Sequence, residues 1–219
     1  LAKLLNPKIK VIAVEPTGAA CLKASLEAGE VTTVSKINTI ADGTAVQTPG
    51  DKLFPYLQAN VDQVITVDDS ELTLSFLDMA ENHKMIVENS GLLTVAALKH
   101  LDFKGKKVVS VLSGGNMDVL TMATVVQNGL MQRDRIFTVS VMLPDKPGQL
   151  AAVSALIAKE QGNVIKLEHN VFANVNRTAG VELTITLESF GTEHKDQIIK
   201  ALETAGYCPV ISKTSGIYM

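Results

Sequence analysis

Ser113-Gly114-Gly115-Asn116 is the segment of this sequence whose residue types are best suited to hold a flat ligand. It directly follows the apolar run 108–112, and an apolar-periodic segment, 117–130, comes after it. This order predicts a strand, a tight loop and a helix, and ligands bind at the carboxyl ends of strands in α/β sheets. The two glycines let the backbone approach a ring closely, while Ser113 offers one neutral hydroxyl. A plain loop with Asn116 as a helix N-cap explains the same residues.

The chain as far as Gln132 alternates strand and helix patterns, which favours a mostly parallel sheet covered by helices on both faces. Asp69 or Ser70 is predicted to cap a helix whose apolar residues Leu72, Phe76 and Met79 form one stripe. The predicted buried strands are 9–14, 61–67, 85–87 and 108–112, and the other predicted helices are 18–27, 92–101 and 117–130.

The remainder of the chain changes to a period of two, with apolar residues alternating with polar ones over 137–143 and 181–188. Two amphipathic helices are predicted, one around 150–157 and one around 198–202 that ends near Gly206. The order of these elements is βαββαβ, which is a ferredoxin-like sandwich. We place the boundary between the two regions in 129–135, after Gln132.

Composition excludes several classes of protein. A net charge of −3 leaves no basic excess for nucleic acid, and no Trp is present to stack on bases. No apolar run reaches the roughly 18 residues of a membrane span. Cys21 and Cys208 lie too far apart for a CxxC pair, which predicts free thiols in the cytoplasm. The chain opens on a helix-like stretch, Leu1–Leu5, without Met or a signal peptide, and we therefore expect a piece of a longer protein.

Four segments in order, 10–16, 39–43, 85–88 and 109–116, resemble the C-terminal half of the catalytic domain of pyridoxal-phosphate (PLP) threonine ammonia-lyases, also called threonine dehydratases. Residues from about Arg135 onward resemble an ACT domain, the small amino-acid-sensing module that some of these enzymes carry. The resemblance implies an α/β fold. Residues 1–132 would form part of a fold-type II (tryptophan synthase β-like) three-layer domain, and residues 133–219 a ferredoxin-like ACT regulatory domain.

The resemblance implies roles for five residues around PLP. Ser113 would lie beside the pyridine nitrogen, and Gly114 would leave room for the ring. A hydroxyl cannot protonate that nitrogen as a carboxylate would, which favours loss of a β-hydroxyl over transamination or racemisation. Glu88 would lie near the same edge, Gly43 would let the backbone pass the ring, and Asp42 would organise its loop. The alternatives are a solvated turn carboxylate for Glu88 and an Asx turn for Asp42.

Other features of the family are incomplete in this sequence. No lysine here lies in the Ser-x-Lys-x-Arg-Gly-like context that holds PLP as a Schiff base, and no glycine-rich phosphate loop is present. We therefore expect these residues alone to be inactive. Similar proteins bind a cation with a residue like Glu15, a carbonyl at the position of Ala19 and an acid two residues later. That last position is Cys21 here, which leaves a monovalent cation on Glu15 and Ala19 as the hypothesis.

In the second region, the segment from Leu143 to Leu150 resembles the ACT effector loop. The resemblance implies that Asp145 contacts an amino group, and that the backbone at Gly148, Gln149 and Leu150 holds a carboxylate at a helix N-terminus. Asn163 would contribute from the facing strand. The alternative is a βαββαβ domain that only dimerises the protein.

The function implied is conversion of L-threonine to 2-oxobutanoate and ammonia, together with conversion of L-serine to pyruvate. The expected partners are an amino-acid substrate, an amino-acid effector and further copies of the chain, as a dimer or tetramer. The alternatives are a catalytically inert regulatory or interaction module and a serine racemase-like enzyme. In the cation site of similar proteins an acid stands at the position of Cys21, and its replacement by Cys21 counts against the serine racemase-like alternative.

Overall fold

The computed structural model describes residues 1–170 and 180–212, and the chain divides into two compact units, Leu1–Val126 and Gln127–Met219. The division lies inside the helix Val119–Gln132, whereas the sequence patterns predict the boundary after this helix. The first unit contains the strands β1 (Ile12–Pro16) and β2 (Gln63–Val67), the helices α1 (Ala2–Leu5), α2 (Cys21–Ala28), α3 (Phe54–Asn60), α4 (Asp69–Asp78) and α5 (Leu93–Ala96), and the start of α6 (Val119–Gln132).

Strands β1 and β2 pair in parallel, with Ile12 opposite Gln63 and Pro16 opposite Val67. The apolar stripe of α4 packs against this pair, as its spacing predicts, because Leu72 and Phe76 are almost completely buried. Deep burial of these side chains is the main stabilising contribution in this unit. The buried core residues are Ala41, Ile65, Val67, Leu72, Phe76, Met79, Val87, Leu92, Leu93, Ala96, Ala97 and Val125.

Helix α4 begins one or two residues earlier than predicted. Asp68, and not Asp69 or Ser70, is its N-cap, and it forms a capping box with Glu71. Asp69 instead binds the segment before Gly43. Its carboxylate accepts hydrogen bonds from the hydroxyl of Thr39 (2.6 Å) and the amide of Ile40 (3.0 Å). The prediction of the cap was wrong because three consecutive polar residues could each serve as the N-cap.

Two predicted strands are not observed. Residues 85–87 and 108–112 have no strand pairing, and within the described part of the first unit the sheet has only two strands. Both segments expose apolar side chains, most of all Val109, which is 88% exposed. The predicted helix over 92–101 is broken into α5 and 3₁₀ turns on either side of it, Asn89–Leu92 and Ala97–His100. An apolar run predicts burial, but it does not determine which strand it pairs with.

The second unit has the predicted βαββαβ order and forms a four-stranded antiparallel sheet in the order β4-β5-β3-β6. This is the ferredoxin-like topology. The side chains that alternate along β3 and β5 pack under the two helices, as predicted. The elements are β3 (Ile136–Leu143), α7 (Gln149–Lys159), β4 (Asn163–Asn170), β5 (Val181–Glu188), α8 (Thr192–Thr204) and β6 (Val210–Ser212).

The opposite face of this sheet carries hydroxyl pairs. Thr138 and Thr186 approach to 3.0 Å, and Ser140 and Thr184 to 3.1 Å, between directly opposed residues of β3 and β5. Such pairs satisfy polar atoms on a strand face that the helices do not cover. None of the described helices of either unit is long and apolar enough to cross a membrane.

Asp134 ties the beginning of β3 to the turn before α8. Its carboxylate accepts a hydrogen bond from the Thr192 hydroxyl (2.7 Å) and lies 2.9 Å from the Lys195 ammonium, and its carbonyl accepts a hydrogen bond from the Ser189 hydroxyl. Burial raises the pKa of the Asp134 carboxyl, but the hydrogen bonds from Lys195 and Thr192 outweigh it and hold the pKa below its usual value.

We expect Asp134→Asn to lower the free energy of unfolding at pH 7 by about 1 kcal/mol, because the charge of the acceptor is lost. A carboxyl group whose pKa is lower in the folded state stabilises the fold fully at pH values above its pKa in the unfolded chain, near 4. This contribution disappears as the pH falls through the pKa of the folded state. Urea unfolding at pH 7 and pH 3 measures this. The difference between variant and wild type should shrink at pH 3, and an equal difference at both pH values would contradict the assignment. Asn tolerates the φ of 54° at this position.

Candidate functional site

The loop that carries Gly43 is held in place by polar side chains from two other segments. Asp69 binds Thr39 and Ile40, as described above. The Asn89 side-chain amide donates to the carbonyl of Ile40 (3.1 Å), and Ala41 is completely buried beside it. These contacts anchor the loop to α4 and to the turn that follows Glu88, so Gly43 has a defined position.

Glu88 lies against the glycine pair identified from the sequence. The Asn116 amide donates to Oε2 of Glu88 (3.2 Å), and the Glu88 amide donates to the carbonyl of Gly114 (3.4 Å). A Cβ atom on Gly114 would come within 2.1 Å of the Glu88 carboxyl carbon, and the φ of Gly114 is +78°. Glycine is therefore required here both by its backbone conformation and by the carboxylate beside it.

Gly43 and Gly91 complete the contacts around Glu88. A Cβ atom on Gly43 would lie 2.9 Å from Ser90 Oγ and 3.6 Å from Glu88 Oε1. A Cβ atom on Gly91 would lie 1.8 Å from the carbonyl oxygen of Ser113. The structure thus brings together Gly43, Glu88, Ser113 and Gly114, four residues that come from three separate stretches of sequence.

Asp42 is the predicted site residue that these contacts do not include. Its carboxylate accepts a hydrogen bond from the next residue, Gly43 (2.9 Å), and it is exposed. This bond reaches the next residue, whereas an Asx turn joins the side chain to the amide two residues on, so both roles of Asp42 stay predictions. Ser113 is also exposed, so its hydroxyl is accessible to a ligand.

Ser90 is a candidate site residue that the sequence patterns did not indicate. Its hydroxyl oxygen is buried beside Gly43, and it has no hydrogen-bond partner among the described residues; the same is true of Oδ1 of Asn89. Buried polar atoms are nearly always hydrogen-bonded, so an unpaired one beside a cluster of glycines suggests a ligand contact. The only signal in the sequence is an Asn-Ser pair directly after Glu88.

The proposed cation ligand Glu15 has a different set of partners in the structure. Its two carboxylate oxygens accept hydrogen bonds from the amides of Leu22 (2.8 Å) and Lys23 (2.8 Å), in the first turn of α2. The Cys21 thiol lies 3.8 Å from the same carboxylate, and burial together with the Glu15 charge raises the pKa of that thiol. Among the described residues, no group of three or more His, Cys, Asp or Glu side chains could hold a metal ion. The cation on Glu15 and Ala19 stays a prediction.

The residues predicted to bind an effector fall at two ends of the second unit. Asp145, Gly148, Gln149 and Leu150 lie together where β3 leads into α7, and Gly148 is the N-cap of that helix with a φ of 90°. Asn163 begins β4, and its amide donates to the Glu188 carboxylate (3.1 Å) at the end of β5. Glu188 is paired with the first residue of β3, so within one chain Asn163 lies at the opposite end of the sheet from Asp145.

Comparison with known proteins places these features in a family. Residues 1–114 match the family described as pyridoxal-phosphate dependent enzymes, and the chain belongs to that family. Over 205 residues, it is 36% identical to an L-threonine ammonia-lyase of Geobacter sulfurreducens, a match that covers 92% of this chain and 51% of the relative. The chain spans about half the length of the curated relatives it matches.

Solved structures show the same relationship. The processed form of threonine deaminase isoform 2 from Solanum lycopersicum superposes with a TM-score of 0.53 at 29% identity, over 57% of this chain and 38% of that chain. Maize serine racemase superposes with a TM-score of 0.52 at 36% identity, over 56% of this chain and 40% of that chain. Pyridoxal phosphate is the cofactor that membership of this family implies.

The residues gathered around Glu88 fit one edge of that cofactor. Gly43 and Gly114 form a cradle that side chains would fill, the Ser90 hydroxyl is buried and unpaired, and Ser113 presents an exposed hydroxyl. A neutral hydroxyl suits the nitrogen edge of a pyridine ring, and the nearby Glu88 carboxylate holds the Asn116 amide of the same loop. The phosphate end of the cofactor has no corresponding glycine-rich loop in this sequence.

The two neighbouring glycines provide a matched pair of variants. Gly114→Ala should lower the free energy of unfolding by about 1–2 kcal/mol, because alanine is strained at positive φ and its Cβ would displace the Glu88 carboxylate. Gly115→Ala should be nearly neutral, since the nearest atom to its Cβ is 3.8 Å away and no positive φ is required. Urea unfolding of both variants measures the difference. Equal losses in the two variants would show that the Glu88 contact is not specific to Gly114.

Proposed function

We propose that this chain supplies the C-terminal part of a cytoplasmic threonine ammonia-lyase, which converts L-threonine to 2-oxobutanoate and ammonia and also accepts L-serine. The observation that carries this proposal is the convergence of Gly43, Glu88, Ser113 and Gly114 on one cradle. The 36% identity to the Geobacter sulfurreducens L-threonine ammonia-lyase supports the choice of substrate.

Each residue has a task that its contacts suggest. PLP, when bound, supplies an electron sink for the carbon from which a proton is removed. The exposed Ser113 hydroxyl would hydrogen-bond the ring nitrogen, and because a neutral hydroxyl is a far weaker acid than a carboxyl group, it would hold the ring without protonating it. Glu88 holds the Ser113–Asn116 loop through the Asn116 amide, and the glycines leave the space that the ring needs. The buried Ser90 hydroxyl is a further donor toward the same cradle.

A chimera tests this function. In it, the chain replaces the matching half of the Geobacter sulfurreducens relative, whose remaining half then supplies what this sequence lacks. We expect the chimera to bind PLP and to release 2-oxobutanoate from L-threonine, whereas the 219-residue chain alone should do neither, because it has no lysine in the required context. An inactive but folded chimera that binds PLP would favour the inert-module alternative. Formation of D-serine from L-serine without 2-oxobutanoate would favour the racemase alternative.

Within that chimera, Ser113 determines the course of the reaction. Ser113→Ala should leave PLP bound and lower kcat about fivefold, which corresponds to one hydrogen bond of about 1 kcal/mol. Ser113→Asp should protonate the ring and raise the share of transamination and racemisation relative to elimination. Product analysis by chromatography separates these outcomes. Unchanged rate and product ratio in both variants would refute the assigned role of Ser113.

We further propose that the second unit is an ACT-type regulatory domain that binds a small aliphatic amino acid. Its support is the exposed loop before α7, where Asp145 offers a carboxylate to an ammonium group. The amides of Leu150 and Ala151, in the first turn of this 11-residue helix, offer donors to a carboxylate, whereas the Gln149 amide donates to the Lys146 carbonyl (3.4 Å). The apolar side chain of Leu150, which is 37% exposed, lies in the same turn and suits an aliphatic ligand.

Calorimetry of the 219-residue chain with isoleucine, valine, leucine and serine tests the effector site. We expect at least one of the aliphatic amino acids to bind at millimolar concentration or below, and Asp145→Ala to weaken binding at least tenfold, because the ammonium loses its counter-charge. Asp196→Ala, a change at an exposed carboxylate on α8, is the matched control and should bind normally. Absence of binding, or equal binding by Asp145→Ala, would leave only the dimerising role.

A further inference from the structure

The two nitrogens of the His194 ring join parts of the second unit that are distant in sequence. Nε2 lies 2.6 Å from the carbonyl oxygen of Glu160, the C-cap of α7, and Nδ1 lies 3.0 Å from the amide nitrogen of Phe190, in the turn before α8. His194 itself lies in the first turn of α8. One ring therefore links the end of one helix to the turn that precedes the other.

The two partners of the ring determine which nitrogen carries the proton. A carbonyl oxygen can only accept a hydrogen bond, so Nε2 must donate to Glu160. A backbone amide can only donate, so Nδ1 must accept from Phe190. The ring that satisfies both partners is the neutral ring with its proton on Nε2. A protonated ring carries an N–H group at both positions, so its Nδ1 would face another donor.

The side chain of Phe190 also depends on this ring. It stacks on the imidazole of His194, with the ring centroids 4.8 Å apart and the ring planes 17° from parallel. The rest of the side chain lies in solvent, since Phe190 is 80% exposed. The bond to the Phe190 amide and the stacking on its side chain both come from His194, so the state of one ring controls the order of this residue.

The residues on both sides of Phe190 are held by other contacts. The Ser189 amide donates to the Arg135 carbonyl (2.8 Å), and the Ser189 hydroxyl donates to the Asp134 carbonyl. On the other side, Gly191 is the N-cap of α8 with a φ of 121°, a conformation that favours glycine. Backbone groups and a serine hydroxyl do not change charge between pH 5 and 8, so these contacts persist when the imidazole is protonated.

We propose that His194 is a pH-dependent switch of the turn before α8. In its neutral form, the ring holds the turn at Phe190 against the end of α7. In its protonated form, the ring keeps its bond to the Glu160 carbonyl and releases the amide and the side chain of Phe190. Histidine is the side chain whose charge ordinarily changes between pH 5 and 8, which suits this ring to the role.

The charged groups around the ring carry both signs. Lys159 and Glu160 at the end of α7 and Glu193 on α8 line the same surface cavity as the imidazole. The two carboxylates and the carbonyl end of α7 attract a charged ring, whereas the Lys159 ammonium and the amino end of α8 repel it. Beyond the turn, Asp134 is paired with Lys195 at 2.9 Å. A charged ring therefore keeps attractive neighbours, and the contact that it must lose is the one in which Nδ1 accepts.

Amide exchange measured by NMR on the 219-residue chain tests the switch. We expect the protection factor of the Phe190 amide, which corrects for the intrinsic effect of pH on exchange, to fall about fivefold from pH 7.5 to pH 5.0. The Ser189 amide, which donates to a carbonyl, is the matched control and should keep its protection. Nitrogen chemical shifts of the His194 ring should place the proton on Nε2 at pH 7.5. An unchanged protection factor of Phe190, or a neutral ring with its proton on Nδ1, would overturn the proposal.

Two substitutions separate the two bonds of the ring. An asparagine side chain can place an uncharged oxygen near the position of Nδ1, so His194→Asn should protect the Phe190 amide equally at both pH values. A glutamine side chain reaches toward the Glu160 carbonyl and replaces Nε2 rather than Nδ1, so His194→Gln should leave the Phe190 amide unprotected at both pH values. Circular dichroism confirms that each variant is folded. A loss of protection at pH 5.0 in His194→Asn as large as in the wild type would show that another group controls the turn, and would overturn the switch.

Discussion

The arrangement of three segments around Glu88 in the first unit depends on one constraint. Where these segments meet, there is no room for side chains. Gly43, Gly91 and Gly114 each lie where a Cβ atom would collide with a neighbouring segment, at distances between 1.8 and 2.9 Å. Because these contacts are so close, the loop that ends at Gly43, the turn after Glu88 and the Ser113–Asn116 loop cannot separate without losing the cradle. The chemistry of the proposed site depends on this close approach of backbones.

Polar side chains determine where the three segments meet. Asp69 and Asn89 bind the backbone of the loop before Gly43, and the Glu88 carboxylate accepts the amide of Asn116. The bonds from Asp69 and Asn89 satisfy backbone groups that lie partly buried outside the regular secondary structure and would otherwise be costly to bury, whereas the bond to Asn116 is exposed. The second unit is stabilised differently, by alternating apolar side chains under two helices.

Sequence patterns predicted the features that depend on residues close together in the sequence. They missed the features that depend on contacts with distant segments. The alternation in β3 and β5 and the stripe on α4 were confirmed, because burial follows directly from periodicity. The strands at 85–87 and 108–112 were predicted wrongly, since strand pairing requires a partner that the segment itself does not specify. Ser90 was not predicted as a candidate site residue for the same reason: its hydroxyl is buried beside Gly43, which is more than forty residues away in sequence.

The most direct test of the account is a crystal structure of the chimera with PLP. The account predicts the pyridine ring in the cradle of Gly43 and Gly114, with its nitrogen within hydrogen-bond distance of the Ser113 hydroxyl and with Glu88 still bound to the Asn116 amide. A ring bound elsewhere, or one whose nitrogen faces a carboxylate while Ser113 remains in solvent, would contradict it.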